Sequence, residues 1–253
     1  MQMLTETRNA GSGLPPHGGK LIVGLASTSE QLREVQALRY KVFNETFQAT
    51  ALTNAQGLNA DEFDDYCDHL IVRDITTGCV VGTYRLMSPT AARHLGYYSE
   101  KEFDLSRLDH LRDRITEVGH ACVHPDYRSG SVIMMLWSGL IAYMQRKGCD
   151  YLMGCASVSL ADGGYQASAI YRAITPKQFA PSEYRVTPHI PFALHDVKNE
   201  KPVPMPPLLK GYLRGGAWVC GDPAWDCDFH TADFFVLMPL SNIDQRYARH
   251  YVK

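Results

Sequence analysis

A carboxylate and a basic turn lie close together in the run E-V-G-H-A-C-V-H-P-D-Y-R, at positions 117–128. Glu117 belongs to an apolar stretch with strand character, and Arg128 follows a proline-containing turn that leads into an amphipathic helix. A carboxylate can take a proton as a general base, and the unpaired N–H groups at a helix start can hold a phosphate. This pairing suits the transfer of an acyl group from a phosphopantetheine carrier to an amine.

Glu117 and His120 are the two candidate proton acceptors. Amines are mostly protonated near neutral pH, so aminolysis of a thioester needs a group that removes a proton, directly or through water. On a regular strand Glu117 shares a face with Gly119 and Ala121, whose small size leaves room for a ligand, and His120 points to the other face. A salt-bridged glutamate and a core histidine are the alternative interpretation.

The start of the helix offers a second candidate site. A cation, a residue without a side chain and two small hydroxyls could hold a phosphate there: Arg128, Ser129, Gly130 and Ser131. An ordinary helix N-terminus capped by its serines is the alternative. The sequence contains neither G-x-x-x-x-G-K-[ST] nor G-x-G-x-x-G, so nucleotide hydrolysis and dinucleotide binding have no support.

Acidic and basic residues nearer the N-terminus could bind an amino acid. The segment D-E-F-D-D-Y-C-D-H, at positions 61–69, could hold ammonium groups or a divalent metal, or could be a solvated loop. Arg39 and Arg85 could clamp a carboxylate through paired hydrogen bonds, or could be ordinary surface residues.

The cysteines do not suggest a metal site. There are seven, an odd number, and none forms a C-x-x-C pair, which is typical of reduced thiols in a core. Cys220, Cys227 and His230 lack a second close pair of ligands. We therefore expect no bound metal.

Composition excludes several classes of function. The 253 residues are 45% hydrophobic, with a formal net charge of −2 and a sequence pI of about 6.5, so nucleic acid is not an expected partner. No stretch approaches the roughly 18 consecutive apolar residues of a spanning helix, and residues 1–19 lack the apolar centre of a secretion signal. We expect a cytoplasmic protein with a disordered tail at 1–19 and a single domain at 20–253.

The elements that must position these residues follow from hydrophobic periodicity. Strands are predicted at 20–26, 69–75, 79–87, 115–123, 151–157 and 232–240, and helices from Ser27 onward, at 130–147 and at 165–173. Ser27 and Glu30 have the spacing of a capping box. Residues 88–114 are predicted as a loop with a short helix, and the proline-rich 201–207 as an extended connector. The order favours an α/β fold with a mixed, mostly antiparallel sheet, helices on both faces and a C-terminal extension.

Several runs together resemble one family. They are R-Y-K-V-F (39–43), D-E-F-D and C-D-H-L-I-V (61–72), V-G-T-Y-R-L (81–86), the run at 117–128, P-P-L-L-K-G-Y-L-R-G-G-A (206–217), and D-F-H-T-A-D-F-F-V-L-M-P-L (228–240) with I-D-x-R-Y (243–247). Their order resembles the acyl-carrier-protein-dependent N-acyltransferases, the GNAT branch that includes acyl-homoserine lactone synthases. The C-terminal motifs more closely resemble the L-ornithine N-α-acyltransferases.

The resemblance implies a GNAT fold that moves a 3-hydroxyacyl chain from acyl carrier protein to the α-amine of ornithine, which forms lyso-ornithine lipid. The acyl-phosphopantetheine would be a co-substrate, with no permanent cofactor, and contact with the inner membrane stays open. By matching position, the residues that would line the acceptor region are Arg39, Phe43, Asp61, Asp64, Arg85 and Glu117, with Glu117 as the base. Backbone N–H groups near Cys122 and Val123 would hold the thioester carbonyl. A basic landing patch for the carrier would comprise Arg128, Arg146, Lys147, Arg172 and Lys177.

One departure from the family pattern concerns the acceptor. Relatives usually have Arg in E-x-G-R, where this chain has His120. A neutral histidine cannot anchor a carboxylate as arginine does. Glycine, glutamine, lysine or tyrosine are therefore alternative acceptors, a lactone synthase is an alternative enzyme, and a catalytically silent carrier-binding effector is the non-enzyme alternative.

Overall fold

The computed structural model describes residues 20–47, 54–196 and 203–243. The described residues form two compact units. The first unit contains 20–47, 54–88 and 118–147, and the second contains 89–117, 148–196 and 203–243. The expected tail at 1–19 lies outside the described residues, and the single domain expected for 20–253 stays a prediction.

Ten strands and five α-helices have described bounds. The strands are β1 (Leu21–Leu25), β2 (Asp68–Asp74), β3 (Val80–Met87), β4 (Phe103–Asp104), β5 (Ile115–Val123), β6 (Tyr151–Ser159), β7 (Thr187–Pro188), β8 (Trp218–Val219), β9 (Ala224–Asp226) and β10 (Thr231–Pro239). The helices are α1 (Ser29–Phe47), α2 (Pro89–Leu95), α3 (Ser131–Lys147), α4 (Tyr165–Ala173) and α5 (Pro207–Arg214). Short 3-10 helices include Tyr98–Lys101, Ser106–Arg114 and Pro125–Tyr127.

The first unit is an antiparallel sheet with helices packed on it. Strand β2 pairs antiparallel with β1 and with β3, and β3 neighbours β5. Helix α3 contacts β1, β2 and β3, and α1 contacts β3 and β2. Gly82 of β3 permits the close approach of α3, because a Cβ atom at this position would overlap the side chain of Val132.

Helix α1 begins one residue later than its sequence pattern suggests. The N–H of Gln31 donates to Thr28 Oγ1 at 3.2 Å, and the N–H of Ser27 donates to Gln31 Oε1 at 2.7 Å. The capping box predicted for Ser27 and Glu30 is therefore wrong by one residue: Thr28 caps the helix, and the side chain of Gln31 accepts from the N–H of Ser27. A glutamine can accept this hydrogen bond as a glutamate would.

The second unit is built around strand β10. Its nine residues are all buried, and it pairs antiparallel with β6 along its whole length and with β8 and β9. The first three residues of β5 pair in parallel with β6, from Ile115 to Glu117. Strands β4 and β7 form a separate antiparallel pair. The predicted mixed, mostly antiparallel sheet with helices is confirmed.

Some local predictions need correction. Residues 88–114 contain α2, β4 and two 3-10 helices rather than mainly loop. Pro207 is not part of an extended connector, because it is the first residue of α5. Proline is well suited to that position, since the first helical N–H has no partner within the helix. None of the helices in the described part of the chain is both long and apolar enough to cross a membrane.

Candidate functional site

Two arginines and two aspartates form one charged cluster in the first unit. Arg85 Nη1 lies 2.6 and 2.7 Å from the two carboxylate oxygens of Asp61 and 3.2 Å from Asp64 Oδ1. Arg39 Nη2 donates to Asp64 Oδ2 at 2.5 Å. The side chains of Arg39, Arg85 and Asp64 are almost fully buried, whereas that of Asp61 is 28% exposed. Asp61 is therefore the member of the cluster that a solute can reach.

Helix α1 and strand β3 position this cluster. Arg39 and Gln36 project from α1, and Gln36 Nε2 donates to Asp64 Oδ2 at 3.0 Å. Arg39 Nη2 also donates to the carbonyl oxygen of Asn59 at 2.7 Å. The N–H of Phe63 donates to Asp61 Oδ1 at 2.9 Å. The aspartate-rich turn is thus fastened to α1 rather than solvated.

The cluster keeps Asp64 ionised. Burial alone would raise the pKa of Asp64, but the hydrogen bond and positive charge of Arg39 outweigh it and lower the pKa below the ordinary value. Arg39 Nε and Nη1 make no hydrogen bond within the described residues. The cluster therefore retains donor capacity that its own residues do not use.

His69 supports the cluster and was not predicted from the sequence. Its Nε2 lies 3.0 Å from the carbonyl oxygen of Asp64, to which it donates as a neutral ring. Burial lowers the pKa of His69, and the charges of Arg39 and Arg85 lower it further. The only available signal was its place between buried neighbours on a strand, which does not distinguish a core histidine from a functional one.

His120 lies at the edge of the same cluster. Its Nε2 is 3.8 Å from Asp61 Oδ2, and its ring meets Phe43 edge-on with centroids 5.9 Å apart. Burial lowers the pKa of His120 well below the ordinary value, and the charges of Arg85 and Arg39 add to this effect. His120 is therefore neutral at pH 7.

The backbone at His120 is left-handed, with φ of 51°. Such a residue cannot continue the pleat of a strand. The strict alternation expected along β5 is therefore wrong after Gly119. The structure brings His120 together with the five predicted acceptor residues Arg39, Phe43, Asp61, Asp64 and Arg85, whose roles stay predictions.

The turn before α3 is exposed, and a hydrogen bond fastens it to the end of β5. Arg128 and Ser129 are exposed, and Arg128 Nε donates to the carbonyl oxygen of Val123 at 3.3 Å. Gly130 has φ of 102°, a conformation that favours glycine, and Ser129 Oγ lies 3.4 Å from Ser131 Oγ. Phosphate binding by this turn stays a prediction.

Cys122 is a core residue. Its side chain is buried, and burial raises the pKa of its thiol to about 12. A thiol that keeps its proton is a poor nucleophile. The proposed use of the backbone N–H groups of Cys122 and Val123 as donors to a carbonyl stays a prediction.

Glu117 belongs to the second unit, where three donors hold its carboxylate. The N–H of Tyr98 donates to Oε2 at 2.6 Å, and the N–H and Oγ of Ser99 donate to Oε1 at 2.8 and 2.6 Å. Glu117 is 4% exposed. Such donors stabilise the charged form of a carboxylate. These donors could not be predicted from residue types, because two of the three are backbone groups.

A second acidic group occupies the interior of this unit. One ligand atom from each of Glu102, Cys155 and Asp233 lies within 4.8 Å of the others. Thr231 Oγ1 donates to Asp233 Oδ1 at 2.7 Å, and burial raises the pKa of both Glu102 and Asp233. Two neighbouring carboxyls whose pKa values are both raised can share a proton. These atoms could also hold a metal ion, so the expectation of no metal stays a prediction.

The expected basic landing patch is wrong for Arg146 and Lys147, whereas the role of Arg128 stays a prediction. Arg128 precedes α3, whereas Arg146 and Lys147 are in its last turn, and a helix of 17 residues is about 25 Å long. Lys147 Nζ also lies 3.6 Å from Asp68 Oδ2. The two members in the second unit, Arg172 and Lys177, stay predictions.

Comparison with known proteins finds a family model and sequence relatives that match this chain. A family model described as an acetyltransferase (GNAT) domain matches residues 38–138. An L-ornithine N(alpha)-acyltransferase of Brucella abortus (strain 2308) is 36% identical, over 92% of this chain and 89% of that protein. One from Agrobacterium fabrum (strain C58 / ATCC 33970) is 32% identical, over 98% of this chain and 90% of that protein.

Solved structures agree on the fold. The acyl-homoserine lactone synthase LasI superposes with a TM-score of 0.51 at 14% identity, over 88% of this chain and 91% of that chain. This likeness shows the fold, and the sequence relatives identify the chain as a member of the L-ornithine N(alpha)-acyltransferase family, an amino-acid N-acyltransferase with the GNAT fold.

Proposed function

We propose that this protein transfers a 3-hydroxyacyl chain from acyl carrier protein to the α-amine of L-ornithine and so forms lyso-ornithine lipid. The observation that carries the proposal is the 36% identity over 92% of the chain with a protein of that acceptor specificity. In this proposal the charged cluster of the first unit binds the acceptor, and the carboxylate of Glu117 removes its proton.

The acceptor is an amino acid with two ammonium groups and one carboxylate. Asp61 is the accessible member of the cluster, and its carboxylate can bind an ammonium group beside the Arg85 guanidinium. Arg39 also has unused N–H donors in the same cluster, and these atoms are buried. An ammonium group of the acceptor is therefore the end that meets this cluster, at Asp61.

The donor is the acyl thioester of a phosphopantetheine arm. The exposed turn of Arg128, Ser129 and Gly130 opens α3, a helix of 17 residues whose first N–H groups can hold the phosphate of that arm. Acyl carrier protein is then the partner and the acyl-phosphopantetheine the co-substrate. Because the product carries a fatty chain, peripheral contact with the inner membrane belongs to the proposal.

The reaction is direct aminolysis. Glu117 takes a proton from the α-ammonium group, directly or through water, and the nitrogen then attacks the thioester carbon. Backbone N–H groups near Cys122 and Val123 stabilise the developing oxyanion. The amide bond forms as the carbon–sulfur bond breaks, and the pantetheine sulfur leaves and takes up a proton. The high pKa of Cys122 argues against a covalent acyl-enzyme.

The test measures release of the carrier thiol with purified protein and 3-hydroxyacyl carrier protein. Ornithine is compared with glycine, glutamine, lysine and tyrosine, and Glu117→Gln with the wild type. The proposal expects the highest rate with ornithine, and loss of most turnover in Glu117→Gln without loss of carrier binding. A faster reaction with another amino acid would identify a different acceptor, and full activity of Glu117→Gln would remove the base assignment.

Two further outcomes would reject the proposal altogether. Thiol release that depends on S-adenosylmethionine would indicate a lactone synthase. Carrier binding without turnover on any acceptor would indicate a silent effector. The second candidate function is N-acylation of another amino acid, and the observation that favours it is the neutral His120 beside Asp61.

A further inference from the structure

Ser99 connects Glu117 to other polar groups of the second unit. Its N–H and Oγ both contact Glu117 Oε1, at 2.8 and 2.6 Å, and its Oγ lies 3.6 Å from Cys155 Sγ. Ser99 is 2% exposed, so its hydroxyl has no access to bulk water as a substitute partner. No sequence motif marked this residue.

In the hydrogen bonds that join Cys155, Ser99 and Glu117, the donor and the acceptor of each bond can be assigned. Both carboxylate oxygens of Glu117 accept from backbone N–H groups, and the Ser99 hydroxyl likewise donates its proton to Oε1. Its oxygen can then accept from the thiol of Cys155. Burial raises the pKa of Cys155 well above the ordinary value, so this thiol keeps the proton that it donates. The chain of donors runs from Cys155 through Ser99 to Glu117.

The segment that carries Ser99 is held rigidly. The N–H of Tyr97 donates to Glu100 Oε2 at 2.7 Å, which fixes the start of the 3-10 helix Tyr98–Lys101. Arg112 pairs with Glu100, and the hydroxyl of Tyr97 donates to the carbonyl oxygen of Arg112 at 2.9 Å. These contacts hold the segment that places Ser99 against Glu117.

We propose that Ser99 is a positioning residue for acyl transfer, whose hydroxyl fixes the orientation of the Glu117 carboxylate and keeps it ionised to receive the acceptor's proton. The inference rests on the proposed function, in which Glu117 is the base. Other titratable groups also face or neighbour this carboxylate: Tyr97, Glu102, Cys155 and Asp233.

The test compares the pH dependence of kcat in the wild type with that of Ser99→Ala and Ser99→Thr. Removal of a donor makes a carboxylate easier to protonate. The acidic limb of Ser99→Ala should therefore move to higher pH by about one unit, with unchanged KM for ornithine and carrier. Ser99→Thr keeps the hydroxyl and should restore the wild-type limb. Ser182→Ala removes an exposed serine of the same unit and should match the wild type.

Several results would overturn the inference. One is an acidic limb of Ser99→Ala that coincides with that of the wild type, and another is an equal shift in Ser99→Thr. An equal shift in Asp233→Asn would assign the limb to the buried acid pair instead. If Ser99→Ala does not fold, Ser99→Cys offers a weaker donor of similar shape and should shift the limb in the same direction; no shift there counts against the inference. Full activity of Glu117→Gln would reject the base assignment of the proposed function, a separate failure.

Discussion

Nη1 of Arg85 lies almost equally far from both carboxylate oxygens of Asp61, at 2.6 and 2.7 Å. The arginine is buried, whereas the aspartate is partly exposed. The buried guanidinium of Arg85 thus holds in place a carboxylate that a substrate can reach.

Asp64→Ala should lower the free energy of unfolding by about 3 to 5 kcal/mol, since removal of one partner leaves the buried charge of Arg39 uncompensated. Urea denaturation monitored by circular dichroism measures the change. Asp65→Ala is the matched control, because Asp65 is the exposed neighbour and its loss should change stability by about 0.5 kcal/mol or less. Equal effects in the two variants would show that the Arg39–Asp64 pair does not stabilise the fold.

His120 should remain neutral throughout the neutral pH range, because burial and the nearby arginines lower its pKa well below the ordinary value. Its ring proton resonance, assigned by comparison with His120→Gln, should not shift between about pH 6 and 8. A titration of His120 with a midpoint near its ordinary value would contradict the described surroundings of the ring.

Asp233→Asn should make stability less sensitive to pH. Burial raises the pKa of Asp233, so the folded protein holds the proton more tightly than the unfolded chain, which releases it near pH 4. The wild type should therefore lose stability as the pH rises above about 4. The variant cannot ionise at this position, so at pH 8 it should be more stable by about 1 to 3 kcal/mol.

Denaturation curves across the pH range measure this difference. The two proteins should converge in acid, where Asp233 of the wild type is also neutral. Asp65→Asn, at an exposed position, should follow the wild type at every pH. A wild type that gains stability relative to Asp233→Asn as the pH rises would contradict the raised pKa.

Alkylation at pH 8 should separate the cysteines by burial. Cys79 and Cys227 are exposed and should react with iodoacetamide within minutes, whereas Cys122 and Cys220 are buried and should stay unmodified in the folded protein. Peptide mass spectrometry identifies the alkylated cysteines.

Cys122→Ala should retain acyl transfer, because the proposed reaction forms no covalent bond to this thiol. Complete loss of turnover in this variant, with an unchanged melting temperature, would favour a covalent intermediate.

Local elements could be predicted because their periodicity is local. Strand β5 and helix α4 have the predicted bounds, and α3 begins one residue later. The left-handed backbone of His120 could not be predicted, since a non-glycine residue adopts it only when its surroundings impose it. The change in side-chain alternation along β5 at this position therefore appears only in the folded chain.

The candidate site was predictable in part. The resemblance grouped Arg39, Asp61, Asp64 and Arg85, which the structure brings together. The resemblance could not indicate Ser99. The backbone N–H of Ser99 is a donor that every residue except proline has, and its hydroxyl gains a role only through Glu117, 18 positions away. The sequence separation of Glu102 and Asp233 concealed the buried acid pair for the same reason.

The most direct test of the central claim is the identity of the product formed by the wild type. The protein is supplied with 3-hydroxyacyl carrier protein and ornithine labelled with ¹⁵N at the α-nitrogen, and the lipid product is examined by mass spectrometry and NMR. The account predicts a labelled amide nitrogen bonded to the acyl carbonyl. An acyl chain on the unlabelled δ-nitrogen, or no ornithine product while another amino acid is acylated, would contradict it.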